Sequence, residues 1–376
     1  MKRLPEKIRG TLEKIVKEMK GEENTYGVGL FGSWSRGDAV ESSDIDLLVI
    51  QKGSFNTEFV ERSEVNGILI DWDHIPKEWI PNRAPPRLDQ KIYEMQILYD
   101  KDWSLTNKKL MMTKTYSSPE RVEIRTKEHI VESDIYLSRA TSAFSRKDFR
   151  SAQLFTTFSL ESILRIPIEI ALEPFSNSRF IQKLNCSTIK IGIHNFFNEY
   201  LKITSLEKAD KETVEDKLKL FKTIWDEMNI GAMRNLEALE SSHFETRTKL
   251  EYYLNPAFLR GMMMRTKSLI DSEKLMEATH YLKKVIVEII NNYIWLKSAV
   301  ANKRIDYTTL IRSLETLDNK SENSGNILAL LDLKKSERRT SKKTIEATRQ
   351  IILKIRNERK PLIKKHLLKT SWKQGL

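Results

Sequence analysis

Apolar residues recur every three or four positions at the start of the chain, where Leu4, Ile8, Leu12, Ile15 and Met19 stand among lysines and glutamates. This spacing predicts an amphipathic helix over residues 4–20. Short apolar runs then predict strands near 26–31, 44–51 and 65–75. Pro76, Pro81, Pro85 and Pro86 predict an irregular connection over 75–87. A helix and a further strand are expected within 89–99, and residues 105–119 read as a junction. From about 119 to 320 the pattern is helical. Ala152, Phe155, Phe158, Ser159, Ser162 and Ile163 share one face, and Pro167 is expected to end or kink that helix. Further helices are expected near 206–228, 230–253, 271–299 and 305–317.

The chain has 376 residues, 40% of them apolar and 9% aromatic, which is an ordinary globular composition with room for two domains. No apolar run approaches the ~20 residues of a membrane span, and the first twenty residues lack the continuous apolar stretch of a secretory signal. The single cysteine, Cys186, precludes an intrachain disulfide and suits a reducing, cytoplasmic setting. With one cysteine and scattered histidines, a zinc site has no support.

The chemistry concentrates in residues 30–50, Leu-Phe-Gly-Ser-Trp-Ser-Arg-Gly-Asp-Ala-Val-Glu-Ser-Ser-Asp-Ile-Asp-Leu-Leu-Val-Ile. A short apolar strand runs into Gly32-Ser33, and ten residues later a second strand opens Asp44-Ile45-Asp46. Alternation in a strand puts Asp44 and Asp46 on one side, about 7 Å apart along the backbone. Paired carboxylates stay ionised most readily with cations between them. Hard oxygen donors favour Mg²⁺, which keeps positions for water and phosphate oxygens. A Gly-Ser turn lets backbone N–H groups approach a triphosphate closely. A solvated turn edge would explain either half of this pattern alone, but not both together.

Gly32-Ser33, ten residues, then Asp44-Ile45-Asp46 resembles the signature of the nucleotidyltransferase superfamily, which shares the fold of DNA polymerase beta. The wording is closest to the branch of minimal and kanamycin- or lincosamide-type nucleotidyltransferases. The resemblance covers roughly residues 20–80. It implies an α+β fold: an N-terminal nucleotidyltransferase domain with a short mixed sheet flanked by helices, followed by a mainly α-helical C-terminal domain. The expected boundaries are 1–115, 116–330 and, for a basic helical C-terminal segment, 331–376.

The resemblance also implies transfer of a nucleoside monophosphate from an NTP, ATP by family habit, to an acceptor hydroxyl with release of pyrophosphate. Asp44 and Asp46 would hold two Mg²⁺ ions, and Gly32, Ser33 and Arg36 would contact the nucleotide's phosphates. A third acid is expected on a later strand. Asp71 and Asp73 share a face there; the family's Gly-x-x-apolar-Asp arrangement favours Asp71. The acceptor (small molecule, RNA end or protein) is left open.

Net charge is +12, and residues 334–376 carry all of it, with 15 Lys and Arg against 3 acids. Ile345, Ile351, Ile352, Ile355, Leu362, Ile363, Leu367 and Leu368 lie among these bases, which predicts two helices broken at Pro361. The segment is the solvated face of a packed helix, a contact to nucleic-acid phosphates, or a basic amphipathic helix that touches an anionic membrane surface. Two functions compete with catalysis: an antitoxin-like regulatory or binding protein on the same scaffold, and a nucleic-acid-binding protein acting through this segment.

Overall fold

In the computed structural model, which describes residues 4–81, 84–317, 322–334 and 336–371, five strands form one mixed sheet. They are β1 (Thr25–Phe31), β2 (Ile45–Gln51), β3 (Phe59–Val65), β4 (Ile68–Pro76) and β5 (Gln96–Asp100). Their order is β3-β4-β2-β1-β5, with β2 and β4 parallel and the other pairs antiparallel. The helices in chain order are α1 (Glu6–Gly21), α2 (Gly32–Arg36), α3 (Asp89–Glu94), α4 (Ser104–Thr115), α5 (Pro119–Ser145), α6 (Phe149–Ile170), α7 (Phe180–Ile191) and α8 (Asn195–Thr204). They continue with α9 (Lys211–Met233), α10 (Leu236–Glu240), α11 (Phe244–Tyr253), α12 (Pro256–Asp271), α13 (Leu275–Ala301), α14 (Leu310–Leu317), α15 (Glu322–Leu330) and α16 (Arg338–Ser371). The fold is α+β, as the sequence pattern implies.

Two compact units divide the chain. The first comprises residues 1–116 together with 243–268, and the second residues 117–242 and 269–376. In the first, the apolar stripe of α1 (Ile8, Leu12, Ile15, Met19) packs on Val28, Leu30, Ile45, Leu47, Val49, Ile68 and Ile70 of the sheet. Alternation then commits the neighbouring positions, Asp44, Asp46 and Asp71, to the opposite face. The strand β3, unmarked in the sequence reading, forms a hairpin with β4 through Asn66-Gly67. Both turn residues have positive φ, 53° and 73°, as a two-residue turn of this kind requires. The free edge of β3 is covered by α11, with Phe244 edge-on to Phe59 at 5.4 Å.

The second unit is all helical. Its core joins Leu160, Ile163, Leu164, Phe180, Leu184, Phe196 and Tyr200 to Ile351, Ile352, Ile355 and Ile363 of α16. Here one expectation is corrected: Pro361 lies inside α16 and does not break it into two helices, while Pro167 lies inside α6, three residues before its end at Ile170. Proline removes one backbone donor at a cost of about 3 kcal/mol. Buried residues on both sides (Ile166 and Ile168; Ile355, Ile363 and Leu367) offset that by keeping the helix seated on its neighbours. The expected helix over 230–253 is instead three, broken at Arg234-Asn235 and near Ser242-His243, and the junction expected over 105–119 holds most of α4 and the unit boundary after Tyr116.

The basic segment is thus the outer part of a packed helix. Arg359 donates to Glu123 O at 3.1 Å and Thr126 Oγ1 at 2.9 Å, and Arg356 pairs with Asp134, all on α5. Lys342, Lys343, Lys354, Lys360, Lys364 and Lys365 are exposed. Residues 335 and 372–376 of the segment lie outside the described residues. No helix among the described residues is long and apolar enough to cross a membrane.

Ile355 is 1% exposed in this core, so Ile355→Ala is expected to cost roughly 2–5 kcal/mol, read as a lowered midpoint in urea. Also in the second unit, Glu161 is buried with His280 Nε2 at 3.2 Å, Tyr200 Oη at 3.5 Å and Lys284 Nζ at 3.9 Å. Burial pushes its carboxyl up, but His280, Lys284 and Arg165 outweigh burial and hold it at about 2. A depressed folded-state pKa contributes stability above the unfolded value of 4.5 that is lost as pH falls toward 2. Urea unfolding from pH 6 to pH 2.5 should show this acid-labile contribution, on the order of 3 kcal/mol, in the wild type and not in Glu161→Gln.

Candidate active site

β1 delivers the chain into α2, a single turn that Gly37 ends in the left-handed conformation (φ 82°). The chain returns through a tight turn at Val40–Ser43, in which Val40 N–H donates to Ser43 Oγ at 2.9 Å. Asp44 follows, immediately before β2. Parallel pairing sets Asp46 directly beside Asp71, and all three carboxylates converge on the face turned away from α1.

Gly32 fits against this cluster for a steric reason. Its φ is +71°, and a Cβ there would lie 2.1 Å from Asp46 Oδ2. The Gly32 N–H donates to Glu94 Oε1 at 2.9 Å, while the Ser33 carbonyl accepts from Gly37 N–H at 2.9 Å and Asp38 N–H at 3.1 Å. Arg36 is engaged by carboxylates: Nη1 lies 2.8 Å from Glu94 Oε1, and Nε 3.2 Å from Asp38 Oδ1. Glu94, on α3, therefore ties the turn and its arginine together.

Residues unmarked in the sequence reading complete the cluster. Arg62 of β3 is 5% exposed and forks across two acids. Its Nε and Nη2 each donate to Asp71 at 2.5 Å, and Nη2 also donates to Asp44 Oδ2 at 2.6 Å. Arg265 of α12 pairs with Asp44 Oδ1, and Tyr252 of α11 donates to Asp71 Oδ2 at 3.1 Å. The rings of Tyr252 and Phe258 flank the Arg62 guanidinium at 5.5 and 5.3 Å. Asn255 fixes the strand by donating to Arg62 O at 2.9 Å.

These contacts separate the three acids electrostatically. At Asp44 burial pushes the carboxyl up, but Arg265 and Arg62 outweigh it and hold it below the usual range. Burial lifts Asp71 despite Arg62. Asp46 is raised well above the usual range by burial and by the charges of Asp44 and Asp71. Among the described residues no basic side chain pairs with Asp46. No group of three or more acids, histidines or cysteines among the described residues is placed to hold a metal ion; Asp46, flanked by two other carboxylates, is an oxygen donor of the kind a hard divalent cation takes.

Asp73 is placed elsewhere. It is 2% exposed and pairs with Lys91, which also holds Glu58 at 2.5 Å. The trio thus brought together is Asp44, Asp46 and Asp71. His74 sits on the α1 face, with Nδ1 2.8 Å from Gln51 Oε1 and its ring stacked on Phe59 at 4.6 Å.

Gly37→Ala meets nothing within 4 Å and should cost only its backbone strain, on the order of 1 kcal/mol. Gly32→Ala adds a collision with Asp46, and its thermal midpoint should fall clearly below that of Gly37→Ala.

Residues 11–132 match the family model described as "Nucleotidyltransferase domain". No curated protein sequence matches the chain. Among solved structures, the chain is similar to a nucleotidyltransferase-like protein from Exiguobacterium sibiricum 255-15, at 12% identity and a TM-score of 0.33, over 82% of this chain and 91% of that one. The family match spans β1 to β5 and includes Gly32, Asp44, Asp46 and Asp71, so residues 11–132 constitute a domain of the nucleotidyltransferase superfamily.

Proposed function

We propose that the protein is a Mg²⁺-dependent nucleotidyltransferase that moves a nucleoside monophosphate from an NTP, ATP first among them, to an acceptor hydroxyl. The observation that carries this reading is the convergence of Asp44, Asp46 and Asp71 on one sheet face, with Gly32 against Asp46. In the reaction the acceptor oxygen bonds to the α-phosphorus as the bond to the β-phosphate oxygen breaks. The acceptor's proton is lost and pyrophosphate leaves. The bound metal supplies charge neutralisation for the attacking and leaving oxygens.

The chain's own residues do the rest. Asp44, Asp46 and Asp71 would hold the cations, and Asp71 would also take the acceptor's proton. Gly32, whose missing Cβ lets the turn close on Asp46, would contact the phosphates together with Ser33 and Arg36 of the same turn. For Arg36 this role requires release from Glu94 and Asp38. The acceptor is a small molecule, an RNA end or a protein hydroxyl.

Asp46→Asn removes a metal ligand with little change of volume. With each α-labelled NTP, Mg²⁺ and separate pools of RNA, protein and small metabolites, the wild type should label one pool. The variant should lose at least a hundredfold in rate at unchanged thermal midpoint. Undiminished labelling by the variant would refute the mechanism. A non-catalytic binding protein predicts no labelling by either form.

A further inference from the structure

A cavity of about 110 Å³ lies wholly within the second unit, bounded by α6, α8, α13 and residues 331–333. Leu154, Ile203, Leu206 and Val287 give it apolar walls, and Glu161, His280, Lys283, Lys284 and Asp332 line it as well. Its volume is that of a few waters, or of a molecule with about six to eight heavy atoms. A nucleotide is far larger.

The polar groups of this cavity are loosely joined. Glu161 is buried yet kept ionised by the charges around it, with His280 Nε2 at 3.2 Å, Tyr200 Oη at 3.5 Å and Lys284 Nζ at 3.9 Å. All three exceed the ~2.7–2.9 Å of a charge-assisted hydrogen bond. Lys284 Nζ stands as far, 3.8 Å, from Glu288 Oε1. His280 is 5% exposed, and among the described residues its Nδ1 has no hydrogen-bond partner. Lys283 pairs with Asp332 Oδ2 at 2.6 Å but shares that one oxygen with Lys217, also at 2.6 Å. Buried polar groups are ordinarily satisfied at shorter range, so this cluster can take up further partners.

The signs of the charges restrict those partners. A lone ammonium would meet Lys283 and Lys284, and a lone carboxylate would meet Glu161 and Asp332. A molecule bearing both groups on an apolar body meets each charge with its opposite, the ammonium at Glu161 and the carboxylate at the lysines. Nδ1 of His280 can serve either group, as acceptor or, when protonated, as donor. The apolar walls would cover the body, as in small-molecule sites where a few polar groups fix orientation. We infer that this cavity binds a small zwitterion, an aliphatic α-amino acid. The inference does not depend on the nucleotidyltransferase reading of the acid trio, and it makes the second unit a ligand-binding module as well as a helical scaffold.

The test is isothermal titration calorimetry of the full chain with L-valine, isobutylamine and isovalerate, the last two each lacking one of valine's charged groups. The wild type is expected to bind L-valine saturably, and the two analogues at least tenfold more weakly. Glu161→Gln and Lys284→Met, each first shown to be folded by circular dichroism, should bind L-valine at least tenfold more weakly than the wild type. No binding of L-valine by the wild type overturns the inference, as does binding of either analogue with equal affinity, or undiminished binding by a folded variant. Should Glu161→Gln fail to fold, Lys284→Met, whose side chain is partly exposed, takes its place. The comparison of the three compounds on the wild type needs no variant and decides alone if neither folds.

Discussion

Three carboxylates gathered on one sheet face repel one another, and the first unit is arranged around that repulsion. Burying even one ionised acid without a partner is costly, and burying three is prohibitive unless positive charge is placed among them. Arg62 and Arg265 supply it to Asp44 and Asp71. Asp46 is left without such a partner and carries the strain as a displaced protonation equilibrium. The cluster is therefore poised: neutralised enough to fold, with one member still short of a cation.

Backbone geometry makes this possible. The parallel pairing of β2 and β4 fixes Asp46 opposite Asp71; a slip of one residue would turn Asp71 onto the α1 face and destroy both the core and the site. The same alternation that seats Ile45, Leu47, Ile68 and Ile70 under α1 therefore positions the acids. Gly32 then brings the turn against Asp46 at a separation no other residue permits. Core and site are two faces of one register.

Much of this was legible in the sequence. The stripe of α1, the strands flanking Gly32-Ser33 and the Asp44-Ile45-Asp46 pair follow from local periodicity, and the family match covers them. Strand alternation places both Asp71 and Asp73 on one face. Only three-dimensional neighbours tell them apart: Arg62 for one and Lys91 for the other. The strand β3 did carry a local mark, since Asn66-Gly67 signals a two-residue hairpin turn. Arg265 carried none. It reaches Asp44 across 221 positions of sequence, and no short-range pattern encodes such a meeting. Pro361 misled for the opposite reason: its local preference is real, but burial of the flanking isoleucines and leucines overrides it.

The return of residues 243–268 to the first unit sets an order of events during synthesis. The polypeptide leaves that unit at residue 116 and rejoins it only at 243, so the sheet emerges from the ribosome with β3 bare and Asp44 lacking Arg265. At ordinary elongation rates the interval is on the order of ten seconds. During that time an unpaired edge strand is exposed to other chains. A fragment cut to the bounds of the family match would remain in this unfinished state, because the helices that shield β3 lie beyond its end.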